Sequence, residues 1–130
     1  MMNIYTEDIT KNKISILCSR DLNEEKTLQK YGLLISNYIC SKTDKNSIIT
    51  IGNLRNGNLI KYLKDNNFRI DIKKQHPKSL IPSNKKLIKE SNIVIFLNYN
   101  SSKGITTFLN YAKSIENKKY YELRIEDKDI

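Results

Sequence analysis

The chain has no tryptophan, one histidine, two cysteines, two prolines and four glycines in 130 residues. Each scarcity removes a class of protein. Cys18 and Cys40 lack a Cys-x-x-Cys spacing and the companions that a disulfide framework or a zinc site needs, so both read as reduced structural thiols and no metal site is expected. The single histidine, His76, lies between Pro77 and a polar stretch and reads as a bystander rather than an acid or base. No apolar run approaches bilayer-spanning length, and residues 1–13 lack the apolar segment of a secretory signal. The expectation is a cytoplasmic protein with no membrane partner, folded as one domain over 1–130 with its core at about 13–125 and flexible ends.

Acidic side chains are also few, 14 against 23 basic ones, which gives a formal net charge of +9. An excess of that size attracts polyanions and raises a nucleic-acid partner as an alternative. Its details weaken that reading. Only Arg20, Arg55, Arg69 and Arg124 are arginine, the residue suited to bidentate phosphate or base recognition, and the lysines are scattered. Lysine, asparagine and isoleucine are abundant together, which an AT-rich coding sequence produces without selection for any ligand. Tyr31 and Tyr38 fall on an apolar helical stripe and so read as core rather than as stacking platforms.

What is present is a regular alternation of short apolar runs with amphipathic segments. Strands are expected at 14–18, 48–51, 68–72, 93–97 and 120–125. Helices are expected from about 23 to 40, briefly around Leu59, Ile60 and Leu63, at 83–89 and at 106–115. The run from Ile93 to Leu97 is apolar throughout, as a central strand covered on both faces requires, and Asn98 is read as its end. Residues 68–72 alternate and read as an edge or near-edge strand. Residues 73–83, which hold both prolines, read as a loop over the active face, and 126–130 as a frayed end. This order predicts an α/β fold: a Rossmann-like three-layer α-β-α sandwich with a mainly parallel five-stranded sheet.

Ligands of such sheets bind beyond the carboxyl ends of the strands, where strand order reverses. Three turns are expected to converge there. The first carries Ser19, Arg20 and Asp21; the second runs from Gly52 through Asn53 and Arg55 to Gly57; the third, Ser101 to Gly104, opens a helix whose free N–H groups favour an anion. An ordinary capped turn accounts for the third with equal ease. Together the hydroxyls, guanidinium groups and glycines suit a phosphorylated, nucleotide-like ligand, with Arg20 on a phosphate.

These turns resemble those of the SLOG superfamily, the Rossmann-like group that includes DNA-processing protein A and the LOG phosphoribohydrolases, and most of all its YspA-like branch. The resemblance covers about 13–125. Cys18-Ser19-Arg20-Asp21 is similar to a Gly-Ser-Arg-Asp turn with the glycine replaced. Gly52-Asn53-Leu54-Arg55-Asn56 is similar to a Gly-Gly-Ala-Arg-Gly turn with Gly57 displaced by one position. An Arg-Asn pair before the fourth strand is represented by Ser83-Asn84. Ser102-Lys103-Gly104-Ile105 stands for Ser-x-Gly-Thr, with Thr106 and Thr107 following.

The resemblance implies a nucleotide or nucleotide-derived ligand held by Ser19, Arg20, Gly52, Asn53, Arg55, Asn84, Ser101, Ser102, Gly104 and Thr106, with no cofactor. It implies a homo-oligomer too, which an apolar outer stripe on the helix at 23–40 would permit. Related domains sense nucleotide-derived immune signals such as ADP-ribose-type or cyclic nucleotides, and a small free-standing copy resembles what a phage uses to sequester one. In the LOG branch a glutamate cleaves the N-glycosidic bond of nucleoside monophosphates; the matching position here is Phe108, which cannot act as acid, base or nucleophile. A sensor or sequestering protein is therefore the first reading. An N-glycosidic hydrolase or transferase is the alternative, with Asp21 and Glu90 as its candidate carboxylates, since Asp71 reads as a solvated strand residue and Glu24 and Glu25 as helix-start charges.

Overall fold

A computed structural model describes residues 13–44 and 46–127. Five strands, β1 (Ile14–Cys18), β2 (Ile48–Gly52), β3 (Arg69–Lys73), β4 (Ile93–Tyr99) and β5 (Lys119–Ile125), form one sheet in the order β3-β2-β1-β4-β5. All four pairings are parallel. Between them lie α1 (Glu25–Lys42), α2 (Gly57–Asp65), α3 (Leu80–Glu90) and α4 (Lys103–Ser114), with short 3-10 turns at Arg20–Asn23 and Pro77–Ser79. The chain is a Rossmann-like α/β sandwich, all-parallel where the sequence predicts mainly parallel.

Alternation along the strands sorts the core into two layers. Ile14, Ile16, Ile49, Ile51, Ile95 and Leu97 pack with Leu28, Ile35 and Ile39 of α1 and Leu59, Ile60 and Leu63 of α2. On the opposite face Leu17, Val94 and Phe96 meet Ile88 of α3 and Ile105, Phe108, Leu109 and Ala112 of α4. β4 feeds both layers, and its residues from Val94 to Tyr99 are buried, which explains its continuous apolar run. β3 stands at the sheet edge, as its alternation predicts, and four of its five residues are exposed. Leu33 and Leu34 lie exposed on the outer side of α1, and no helix among the described residues is long and apolar enough to cross a membrane.

Several boundaries differ from the expected ones, each for a local reason. α3 begins at Leu80, not 83, because Pro82 falls in its first turn, where a missing N–H breaks no helical bond. β3 is shifted one residue, to Arg69–Lys73. β4 continues past Asn98 to Tyr99, paired with Arg124 and Ile125. Asn98 ends no strand; its buried carboxamide donates to Glu122 Oε2 at 2.9 Å and accepts from Ser102 N–H at 3.0 Å. α4 consequently starts at Lys103, three residues early. Glu126 and Asp127 are not frayed: Asp127 N–H donates to Asn100 Oδ1 at 2.7 Å, and its carboxylate pairs with Lys30 at 3.1 Å. The rest of the expected frayed end, 128–130, lies outside the described residues, as does most of the polar lead-in. Cys40 is exposed, so its thiol fills no core position.

Candidate functional site

The order β3-β2-β1-β4-β5 reverses between β1 and β4. The chain leaves β1 toward α1 on one face and β4 toward α4 on the other, so a crevice must open between the two exits. A cavity of about 270 Å3 occupies this place, lined from the exits of β1, β2 and β4 and from the start of α3. Seven of the ten expected ligand residues line it: Ser19, Arg20, Gly52, Arg55, Asn84, Ser102 and Gly104. Asn53, Ser101 and Thr106 do not.

Those three have structural partners instead. Asn53 ties the exit of β2 to that of β3, its N–H donating to Lys73 O at 2.9 Å and its Oδ1 accepting from Gln75 N–H at 2.7 Å. Ser101 Oγ lies 3.2 Å from Glu126 Oε1, and Thr106 Oγ1 donates to Ser102 O at 2.9 Å within α4. Ser19 lines the cavity, yet its hydroxyl is committed to the sheet: it donates to Leu97 O at 3.2 Å and accepts from Tyr99 N–H at 2.8 Å. Its own N–H also donates to Leu97 O, at 2.9 Å, so Ser19 stitches the end of β1 to β4.

The polar side of the cavity is cationic. Among the described residues Arg20 and Arg55 have no side-chain hydrogen bond or ion pair, so neither guanidinium is neutralised by the pairing with Asp21 or Glu24 that a surface arginine commonly makes. Arg55 stands in the left-handed region at φ 63°, inside a turn closed by Asn56 N–H to Asn53 O. A β-carbon there costs about 1–2 kcal/mol. Arg55→Gly is therefore expected to leave Tm equal to or above that of the parent while weakening anion binding at least threefold; a lower Tm would show that the side chain has a structural role.

The third turn reverses the chain through two consecutive left-handed residues, Asn100 at φ 52° and Ser101 at φ 54°. Both are held by the exit of β5, through Asn100 N–H to Ile125 O at 2.8 Å and the bonds to Asp127 and Glu126. Strain of this kind persists only where neighbours over-determine it. α4 then begins with Ser102 as a cap that makes no side-chain bond, which leaves the amides of its first turn uncapped, and Ser102, Gly104 and Ile105 line the cavity. A β-carbon on Gly104 would meet nothing nearer than Ser102 Oγ at 3.9 Å, so the backbone there is approachable.

The other wall is apolar: Leu17, Leu54, Leu80, Ile105 and Phe108. Phe108 belongs to the second turn of α4 and is buried where it lines this wall. Burial pushes the Cys18 thiol up to about 12, and its Sγ donates to Ser19 O at 3.1 Å, so at neutral pH it is a protonated, non-nucleophilic group. His76 Nδ1 accepts from Lys78 N–H at 3.3 Å and caps a 3-10 turn.

No aspartate or glutamate lines the cavity among the described residues. Asp21 is exposed in the turn after β1. Glu90 and Asp71 border a separate, open cleft of about 910 Å3 that also holds Ser15, Thr50, Arg69 and Lys73. That cleft is the part of the sheet face over β2 and β3 that α3 leaves uncovered, and its charges are of both signs.

Sequence reasoning missed Gln75, Leu80, Leu54 and Asn56 as lining residues. Only the placement of the 73–83 segment over the active face pointed toward Gln75. Its side chain lies across the end of β2, where a β-carbon on residue 52 would overlap the Gln75 carboxamide, so this approach depends on Gly52.

The chain is thus an all-parallel, Rossmann-like α/β sandwich with a cationic and apolar cavity at its strand-order reversal. No protein-family model, curated protein or solved structure matches the chain.

Proposed function

We propose that this chain is a SLOG-like protein that binds a nucleotide or nucleotide-derived small molecule in the cavity between the exits of β1, β2 and β4, acting as a sensor or a sequestering protein. The observation that carries the proposal is the meeting of two guanidinium groups without a partner among the described residues, Arg20 and Arg55, with the uncapped first turn of α4 and an apolar wall containing Phe108. Cations and free amides suit a phosphate; an aromatic wall suits a base. The volume of about 270 Å3 lies near the small end of the range for ligand pockets, roughly 300–1,000 Å3, and fits one compact molecule better than a strand of nucleic acid.

Cleavage of an N-glycosidic bond is disfavoured by the carboxylate positions. That chemistry needs an acid group beside the anomeric carbon, and Asp21, Asp71 and Glu90 all stand outside the cavity lining.

A thermal-shift screen against nucleoside monophosphates, ADP-ribose, NAD and cyclic dinucleotides tests the proposal, followed by chromatography of each ligand that raises Tm. Ligand at a hundredfold excess over Kd adds roughly 2.7 kcal/mol of stability, enough for a shift of several degrees. The expected result is a shift with at least one phosphorylated ligand, recovered intact. Recovery as base plus sugar would establish the hydrolase alternative, and no shift with any of them would overturn the nucleotide reading.

A further inference from the structure

Gln75 and Asn84 form a coupled pair of amides on the cavity wall. Gln75 Nε2 donates to Asn84 Oδ1 at 2.6 Å and to Ser83 Oγ at 3.1 Å, so both of its protons are used. Asn53 Oδ1 holds the Gln75 backbone N–H, and Gly52 allows the amide to lie flat across the end of β2. What remains is Gln75 Oε1, an acceptor, and Asn84 Nδ2, a donor. Neither has a partner among the described residues, and neither is sealed from solvent, although both side chains are half-buried. Turning both amides over exchanges the two roles and again leaves one donor and one acceptor. Half-buried polar groups of this kind favour a guest that completes their hydrogen bonds.

We infer that Gln75 and Asn84 read the edge of a flat heterocycle that presents a donor beside an acceptor, as adenine does, while Arg20 and Arg55 hold the phosphate. The inference rests on the nucleotide reading above and deepens it: the arginines supply affinity for any phosphorylated sugar, and the amide pair supplies choice of base. Phe108 and Leu80, on the apolar lining of the same cavity, provide the surface on which the ring lies. Recognition of adenine by a carboxamide's donor and acceptor is a recurrent pairing, here divided between two side chains that are locked to each other.

The test compares Kd values for AMP, GMP and ribose 5-phosphate in the parent protein and in two variants. Asn84→Asp keeps the acceptor that Gln75 needs and replaces the free donor by an acceptor, so the pair then suits the two adjacent donors of guanine. The AMP-to-GMP affinity ratio is expected to fall at least roughly tenfold, whatever the added charge does to all ligands alike. Gln75→Met, of similar length, is expected to bring AMP affinity down toward that of ribose 5-phosphate, which itself changes little. The two variants remove different halves of the pair, so a folding defect in one leaves the other decisive. Nucleotide binding with unaltered ratios in the folded variants overturns the inference and leaves the binding reading intact. Failure of the parent protein to bind AMP, GMP and ribose 5-phosphate alike overturns the inference, and the nucleotide reading falls with it when the wider screen of ADP-ribose, NAD and cyclic dinucleotides is negative too.

Discussion

Arg20→Ala is expected to weaken binding of a phosphorylated ligand at least tenfold without lowering Tm. Arg20 is exposed in the 3-10 turn after β1, and no hydrogen bond or ion pair to a described residue depends on its guanidinium. Folding therefore gains little from it. A charge-assisted hydrogen bond to phosphate contributes about 1.5–3 kcal/mol, or roughly 10- to 150-fold in Kd. Isothermal titration with the best ligand of the screen, at two salt concentrations, measures the effect, and Arg20→Lys separates charge from fork geometry by recovering only part of the loss. A loss under threefold would mean that Arg20 is a surface cation with no part in binding.

The largest effect on stability outside the apolar core is expected at Asn98. Its carboxamide is buried at 1% exposure and bridges β5, through Glu122, to the first residue before α4, through Ser102 N–H. Asn98→Ala removes both bonds, opens a small void and leaves the Ser102 amide without its acceptor, while Glu122 keeps its pairing with Arg124 Nε at 3.3 Å. About 2–4 kcal/mol of stability should be lost, read from urea denaturation. Ligand affinity should fall as well, since Asn98 helps to fix where the open amides of α4 point. Asn98→Asp separates the two roles. It keeps an acceptor for Ser102 N–H but sets a carboxylate against Glu122, so stability should drop while the aim of α4 is largely preserved. Unchanged stability in Asn98→Ala would show that the bridge contributes nothing.

The sheet and the layer order were legible in the residues because period and apolarity report burial directly. Ile14 to Leu17 and Ile93 to Leu97 have no other plausible environment than a strand covered on both faces. Helix starts were less legible. Pro82 signals a break to a reader of sequence, but in the first turn of α3 it breaks nothing, and the early start of α4 depends on Asn98, whose partner Glu122 is 24 residues away. Within the site the difficulty is chemical. A serine or asparagine beside a turn is the right residue type both for holding a ligand and for holding the turn, and spacing does not separate the two uses. Ser19, Asn53, Ser101 and Thr106 all looked like ligand groups, and all four have hydroxyls or carboxamides committed to the protein. Arg20 and Arg55 are expected on the same grounds and differ only in having no such partner among the described residues. Gln75 was missed because its position over Gly52 arises from a crossing of β2 and β3 exits that no local pattern records.

The left-handed pair Asn100 and Ser101 takes its partners from Asp127 and Glu126, the last described residues of the chain. A protein emerging from the ribosome can pair β1, β2, β3 and β4 before those residues exist, and the sheet would already hold most of both cores. The turn that aims α4 would not yet be pinned. The first turn of α4 is thus aimed after the bulk of the fold, when β5 docks and its exit closes over the left-handed pair.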